Sequence, residues 1–414
     1  MTTASTEPSF RQSAGHRRHL AELADRLFGL FETESLDPAG GFFALDAEGR
    51  AVTGAAGWPR GIHEVTRIVH CFAIGEKLGR PAARRFVEHG LDFIETRHRD
   101  REAGGWFWSV GETGPADATK QAYGHAFVML AAAGATVCGH EAGPRLLADV
   151  DAVIDAHFWE EDWGAVIDGF ERDWTPLGPY RGQNANMHLT EALMAAFEAS
   201  GNPKFLERAE RIAGLIIERH AAGLAWRVAE HFNADWTLDR DFAGDRMFRP
   251  PAMTPGHWLE WARLLLQLWI AGGKRHDWMA EGAEKLFANA VRWGWDETHG
   301  GFFYTTDFEN NPAMREKLWW PTAEAMAAAH FLAEHRPSAF HEEWYRRSFE
   351  FIDRHFIDHR HGGWRPELSE DLRPQAELFH GVPDIYHSLQ ALLIPLFPAT
   401  GSLTQVARPL GDAR

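Results

Sequence analysis

Two histidine–glutamate pairs carry the first chemical signal in this chain. His188 precedes Glu191 by three positions, and His257 precedes Glu260 by the same spacing. On a helix that spacing puts both side chains on one face. A carboxylate beside an imidazole fixes its tautomer and raises its basicity. A third histidine, His387, sits in a similar apolar setting. Imidazole titrates near pH 6.5, so base and conjugate acid are both available at neutrality. Two imidazoles facing one hollow can take a proton from one carbon and return one to its neighbour. Aldose–ketose isomerisation and 2-epimerisation through an enediol both require this. Such acid–base help is worth roughly 100- to 10,000-fold, and a donor such as Arg67 would stabilise the developing oxyanion. Glu191, Glu260 and Glu324 offer a rival reading, the paired carboxylates of a glycoside hydrolase, but that leaves the histidines without a role. A metal-dependent isomerase is a further alternative. The sequence has no HExxH, no Cys/His knuckle and no dense acidic ligand set, and neither a P-loop nor a dinucleotide glycine motif. Nucleotide use is therefore not expected, while on residues alone the metal-dependent isomerase stays open.

These residues need elements that bring them together, and the chain repeats. Glycine followed or flanked by aromatics recurs at Gly40-Gly41-Phe42, Gly104-Gly105-Trp106, Trp163-Gly164, Gly223 to Trp226, Gly300-Gly301-Phe302 and Gly362-Gly363-Trp364. The marks lie about 60 residues apart, with one interval nearer 77, the signature of a repeat fold. Segments beginning at His19, Arg84, Phe205 and Trp344 show amphipathic helical periodicity. Those beginning at Arg67, Ala122, Asn186, His257, Ala323 and Ile385 are more apolar and richer in small residues. About twelve helices alternating in this way predict an outer and an inner ring, an all-α (α/α)6 barrel forming a single domain over 15–397. Residues 1–14 and 398–414 read as flexible tails. The long fourth interval, Glu230 to Pro255, reads as a loop over the pocket.

In such a barrel the inner helices point the same way, so polar residues near their N-termini converge on one end of the cavity. Arg67 and His70, Tyr123 and His125, Asn184 and His188, His257 and Glu260, Trp319 and Trp320 with Glu324, and Asp384 with His387 occupy those positions. His70 and His125 read as hydrogen-bonded core residues. Buried Arg67 needs an acidic partner or a ligand oxygen. Trp319 and Trp320 suit either packing or stacking on a sugar ring. His355, His359 and His361, at the end of an outer helix, read as surface.

Composition removes several function classes. The chain has 414 residues, 42 basic against 59 acidic, and a net charge of -17. A surface of that sign disfavours nucleic acid and anionic membrane as partners. The beginning of the sequence lacks the apolar core of a secretory signal, and no apolar run is long enough to span a membrane. Cytoplasm is the expected location. Cys71 and Cys138 read as buried reduced thiols. The 18 Trp and 28 Phe against 5 Tyr suit a pocket that stacks on sugars.

Four segments together carry a family resemblance: RGQNANMHLTEA from Arg181, TPGHWLEWARLL from Thr254, KLWWPTAEA from Lys317 and PDIYHSLQALLIP from Pro383. KQAYGHAF from Lys120 and TRIVH from Thr66 fit too. From about residue 15 to 397 the chain resembles the N-acylglucosamine 2-epimerase superfamily, most of all its bacterial aldose–ketose isomerase branch, which acts on mannose or sulfoquinovose. The resemblance implies an (α/α)6 barrel and an enediol mechanism free of metal and cofactor. It implies that His257 and His387 form the acid–base pair and that His188 assists ring opening and holds the sugar. Arg67, Tyr123, Asn184 and Glu260 would contact or orient the substrate, with Trp319 or Trp320 stacked on it. The implied partner is a small monosaccharide. A sulfonate would need a clamp; Arg246 and Arg249 are candidates, but Glu367 would repel an anion if it faced the site. The expectation is a neutral hexose, mannose first and lyxose second. Sulfoquinovose isomerisation or sugar 2-epimerisation remain the alternatives within the family.

Overall fold

The protein is described by a computed structural model covering residues 9–242 and 244–410. Twelve helices of nine or more residues alternate between two rings. The outer ring holds α1 (Ala14–Glu34), α3 (Ala83–Phe93), α5 (Ala142–Val153), α7 (Pro203–Ala213), α9 (Asp277–Asn289) and α11 (Ala339–Phe351). The inner ring holds α2 (Ile62–Lys77), α4 (Ala122–Val137), α6 (Gln183–Ser200), α8 (Pro255–Ala271), α10 (Trp319–His335) and α12 (Ile385–Leu393). Burial follows from sequence. In α7 only Phe205, Leu206, Ala209, Ile212 and Ala213 are buried, one stripe of an otherwise charged helix. In α10 every residue from Trp319 to Ala333 is buried, and eight of those positions are alanine or threonine, or proline at the start, which lets neighbours approach on both sides. Each inner helix packs on the next, and α12 packs on α2, so the ring closes. The (α/α)6 barrel expected from the repeat is the fold observed.

Connections differ sharply between the two ends. Inner helices pass to the following outer helices through two to five residues. Outer helices return to inner ones through long loops, all gathered at the inner-helix N-termini. Five outer helices first widen into a π-helical turn, at 94–98, 154–158, 214–221, 290–294 and 352–356. Short antiparallel pairings then ring the mouth. Arg60-Gly61 pairs with Ser109-Val110, Lys120-Gln121 with Gly169-Phe170, Arg181-Gly182 with His231-Phe232, and Lys317-Leu318 with Glu367-Leu368. Met253 bridges to Thr306, and Val382 bridges back to Leu45, joining last repeat to first.

The same loops repeat an ion pair that the sequence reading missed. Two residues before four inner helices stands a cation, and each reaches a carboxylate in the preceding loop: Arg60–Asp37 at 2.5 Å, Lys120–Asp100 at 3.0 Å, Arg181–Glu160 at 2.7 Å and Lys317–Asp296 at 2.9 Å. Lys317 is fully buried, with its Nζ 3.7 Å from the Phe303 ring centroid. Burial disfavours the Asp296 anion, but Lys317 and the backbone N–H groups of Thr298 and His299 overcome this and hold its carboxyl at about 2. Its folded value lies below the unfolded one. Its stabilising contribution is therefore complete above about pH 4 and is lost as pH falls toward 2. Lys317→Met strands the carboxylate and is expected to cost about 3–5 kcal/mol at pH 7. Urea melts should show that deficit shrinking by pH 3; an equal deficit at both pH values would remove the pair from the stability account.

Where they are described, the ends of the chain make contacts with the barrel. Arg11 is buried and pairs with Glu334 at 2.5 Å and Glu342 at 3.0 Å. Leu403 and Thr404 are buried in α13 (Leu403–Val406), which packs on α2, α4 and α6 at the narrow end, and Ser402 N–H donates to Glu198 at 3.1 Å. Of residues 9–14 only Arg11 is buried, whereas Ala399, Gly401, Leu403, Thr404 and Ala407 are all buried against the barrel. Residues 1–8 and 411–414 of the expected tails lie outside the described residues.

Candidate active site

All nine residues singled out as site candidates line one cavity at the mouth: Arg67, Tyr123, Asn184, His188, His257, Glu260, Trp319, Trp320 and His387. Each stands within the first two turns of its inner helix, which explains how positions 320 residues apart meet. Tyr304, Phe379 and three residues of the long fourth interval, Met247, Phe248 and Pro250, complete the lining. That interval does form a wall. Tyr304 OH donates to Met247 O at 2.6 Å, and His231 Nε2 donates to Pro250 O at 2.7 Å, fixing the wall from two sides.

The two imidazoles are held alike. His257 Nδ1 lies 2.9 Å from both oxygens of Glu230. His387 Nδ1 lies 2.9 Å from Glu324 Oε1. A carboxylate at that distance requires the proton on Nδ1, so Nε2 is the nitrogen each ring keeps for the cavity. Trp320 lies between them, its ring centroid 5.0 Å from His257 and 5.8 Å from His387. Gly256 makes this possible: a Cβ there would sit 2.5 Å from the Trp320 ring.

The local pairing expected from spacing is corrected here. Glu260 does not hold His257, and Glu191 does not hydrogen-bond His188. Glu260 borders the cavity at its floor, where its Oε1 lies 3.8 Å from His188 Nδ1 and 3.4 Å from Arg263. Glu191 lies 4.0 Å from His188 Nδ1 and accepts instead from Tyr386 OH and from Arg263 at 3.3 Å. Sharing a helix face sets proximity only, and the stronger cation takes the carboxylates. Arg263, fully buried, also donates Nε–H to Glu324 Oε2 at 2.8 Å. One guanidinium therefore serves three carboxylates.

Charge follows from that arrangement. Burial opposes ionisation of Glu191 and Glu324, but Arg263 outweighs it and holds both below the usual carboxylate range. Burial, with Glu324 and Glu191 nearby, pushes Glu260 well above it, so Glu260 is the carboxyl that keeps a proton. Burial depresses His188 to about 3 and also lowers His387, against the pull of Glu324. Both are neutral at pH 7. Arg67 finds its acidic partner in Asp384 at 2.8 Å and donates to Tyr123 OH at 2.6 Å. Asp384 also caps α12 by accepting Tyr386 N–H at 3.1 Å, so one side chain ends the helix and anchors the arginine. Asn184 Oδ1, Arg67 Nε and His188 Nδ1 are buried polar atoms without hydrogen-bond partners.

Other candidates fall elsewhere. His125 is core, bonded to Gln121 O at 2.7 Å and accepting Trp106 N–H at 3.3 Å. His70 is buried near Tyr386 outside the catalytic cavity, and its Nδ1 has no partner. Arg246 pairs with Glu316, and Arg249 lies over Tyr180; neither lines the cavity. Glu367 is fully buried and accepts the N–H groups of Glu377, Leu378 and Phe379, shaping the loop that delivers Phe379. Cys71 is buried and Cys138 half-buried, both free. His188, Glu191 and Glu260, and again Glu260, Glu324 and His387, cluster tightly enough to hold a cation, but Arg263 already engages their carboxylates.

Fold and cavity together define an (α/α)6 barrel whose mouth presents two carboxylate-held imidazoles. The sequence model for N-acylglucosamine 2-epimerase (GlcNAc 2-epimerase) matches residues 40–391. The chain belongs to the N-acylglucosamine 2-epimerase family. It is 40% identical over 407 residues to a D-mannose isomerase of Pseudomonas cannabina pv. alisalensis, covering 96% of this chain and 97% of that one. It is 39% identical over 407 residues to a D-mannose isomerase of Thermobifida fusca, covering 96% and 98%. A crystal structure of D-mannose isomerase superposes with a TM-score of 0.86 at 30% identity, covering 94% of this chain and 99% of that one. No helix among the described residues is long and apolar enough to cross a membrane.

Proposed function

We propose that this chain is a cytoplasmic enzyme that interconverts D-mannose and D-fructose, with D-lyxose as a second substrate, using one catalytic domain over 15–397. His188 assists opening of the pyranose. One imidazole of the His257–His387 pair then removes the C2 proton while O1 gains a proton, giving the 1,2-enediol. A proton returned to C1, with loss of the O2 proton, yields the ketose. Nothing is gained or lost overall, so the step needs no external oxidant or reductant. Arg67, Tyr123, Asn184 and Glu260 bind and orient the hydroxyls, and Trp319 and Trp320 pack against the sugar.

The observation that carries this reading is the pair of imidazoles, each held at Nδ1 by its own carboxylate, on either side of Trp320. A glycoside hydrolase would need two carboxyl groups flanking the sugar. Among the described residues only Glu260 is a carboxylate on the cavity wall, while Glu191 and Glu324 are bound to Arg263. Arg67 is the one cation on that wall and is neutralised by Asp384, which favours an uncharged sugar over a sulfonate.

Incubation with mannose, followed by NMR, tests the reading. Fructose is the expected product, and turnover is expected to survive exhaustive chelation. Glucose with little ketose would make the enzyme an epimerase. Unchanged mannose would redirect the search to sulfoquinovose, and activity restored only by a divalent ion would favour metal chemistry.

A further inference from the structure

The two catalytic imidazoles lean on carboxylates of different kinds. Glu324 shares a cation, Arg263. Glu230 meets only neutral donors: Gln183 Nε2 at 2.8 Å and the Thr254 backbone N–H at 3.2 Å. Gln183 is itself locked. Its Oε1 accepts the indole N–H of Trp261 at 2.7 Å, and that indole can only donate. The amide is therefore oriented with its NH2 toward Glu230. Gln183 Nε2 also lies 2.9 Å from His257 Nδ1. Glu230 is held below the usual carboxylate range, against the cost of burial, by His257 and Gln183. With Glu230 ionised, Nδ1 must carry a proton, so the two nitrogens are donors converging on one carboxylate rather than a bonded pair. Gln183, Glu230 and Trp261 are all buried, and Gln183 begins α6 beside Asn184.

Resting on the acid–base reading above, we infer that Gln183 and Glu230 are positioning residues for His257: Gln183 holds the carboxylate, and the carboxylate fixes the ring and stabilises its charged form. Neither lines the cavity. Their loss is therefore read in kcat rather than in KM.

The test uses the full-length enzyme with mannose. Glu230→Gln keeps the shape and an acceptor but removes the charge. It is expected to lower kcat at least about 10-fold with little change in KM. The imidazolium then forms without its counter-charge, so the loss falls on kcat rather than on KM. Gln183→Met removes the donor, and the isosteric Gln183→Glu turns an oxygen on Glu230 while keeping the Trp261 bond. Both are expected to lower kcat in the same sense. Gln183→Met combined with Glu230→Gln should be no worse than Glu230→Gln alone, since the residues act in series. An unchanged kcat in Glu230→Gln, effects confined to KM, or additive losses in the double variant would each overturn the inference. His257→Ala measured alongside separates the two ideas. If it is fully active, the acid–base reading has failed. If it is inactive while the Gln183 and Glu230 variants retain wild-type kcat, only the positioning inference has failed.

Discussion

Replacing His257 or His387 by alanine is expected to lower turnover of mannose by about 100- to 10,000-fold, with the helical fold intact. The range is that of acid–base assistance withdrawn from a carbon-bound proton, the hardest transfer in the reaction. Neither ring is important to the core: both border the cavity, and each loses one carboxylate bond, not a packing contact between rings of helices. Steady-state kinetics with far-UV circular dichroism checks both halves of the claim. The pH dependence carries a sign. Burial lowers His387 below its ordinary value near 6.5, so its basic form persists into mildly acidic solution. Any acid limb of kcat that disappears in His387→Gln should therefore lie below pH 6.5 in the parent enzyme. Either histidine variant retaining near-parental activity would remove that residue from the chemistry.

The sequence disclosed the barrel and the cavity lining because both are written in local periodicity. Glycine–aromatic marks recur once per repeat, and a polar residue near the start of an otherwise apolar helix has nowhere to point but the mouth. Tyr123, His257 and Trp320 were visible for that reason. What the sequence hid was partnership across repeats. Glu230 lies 27 residues before His257 in a loop with no periodic pattern, so nothing marked it as the carboxylate for that ring. Spacing instead nominated Glu260, which shares a face with His257 but is drawn down to Arg263. The repeated cation two residues before each of four inner helices was a signal that could have been read: Arg60, Lys120, Arg181 and Lys317 occupy one register of the repeat. At the equivalent places before α8 and α12 stand Met253 and Pro383, so the register breaks twice and is easily overlooked.

Arg263 is the residue whose loss should separate stability from catalysis most cleanly. It lies in the floor of the cavity with no exposed surface, and Glu191, Glu260, Glu324 and Gln267 all accept from it. Arg263→Met roughly preserves volume but leaves Glu191 and Glu324 as uncompensated buried anions. Breaking a buried charge cluster from one side costs about 3–5 kcal/mol, a large share of the roughly 5–15 kcal/mol by which domains are stable. The pH response should reverse. In the parent, Arg263 holds Glu191 and Glu324 below their unfolded values, so their contribution is present above about pH 4 and lost as acid is added. In the variant the same carboxyls rise above their unfolded values, and lowering the pH from 7 to 5 should recover part of the deficit in a urea melt. Activity should fall at least about 100-fold as well, because a protonated Glu324 no longer stabilises the charged form of His387. Adding Glu191→Gln and Glu324→Gln to Arg263→Met removes the stranded charges. That triple variant is expected to regain most of the lost stability while staying inactive, since the ring now leans on a neutral amide. A triple variant as unstable as Arg263→Met alone would show that the arginine acts through packing, and one with parental turnover would show that His387 needs no charged partner.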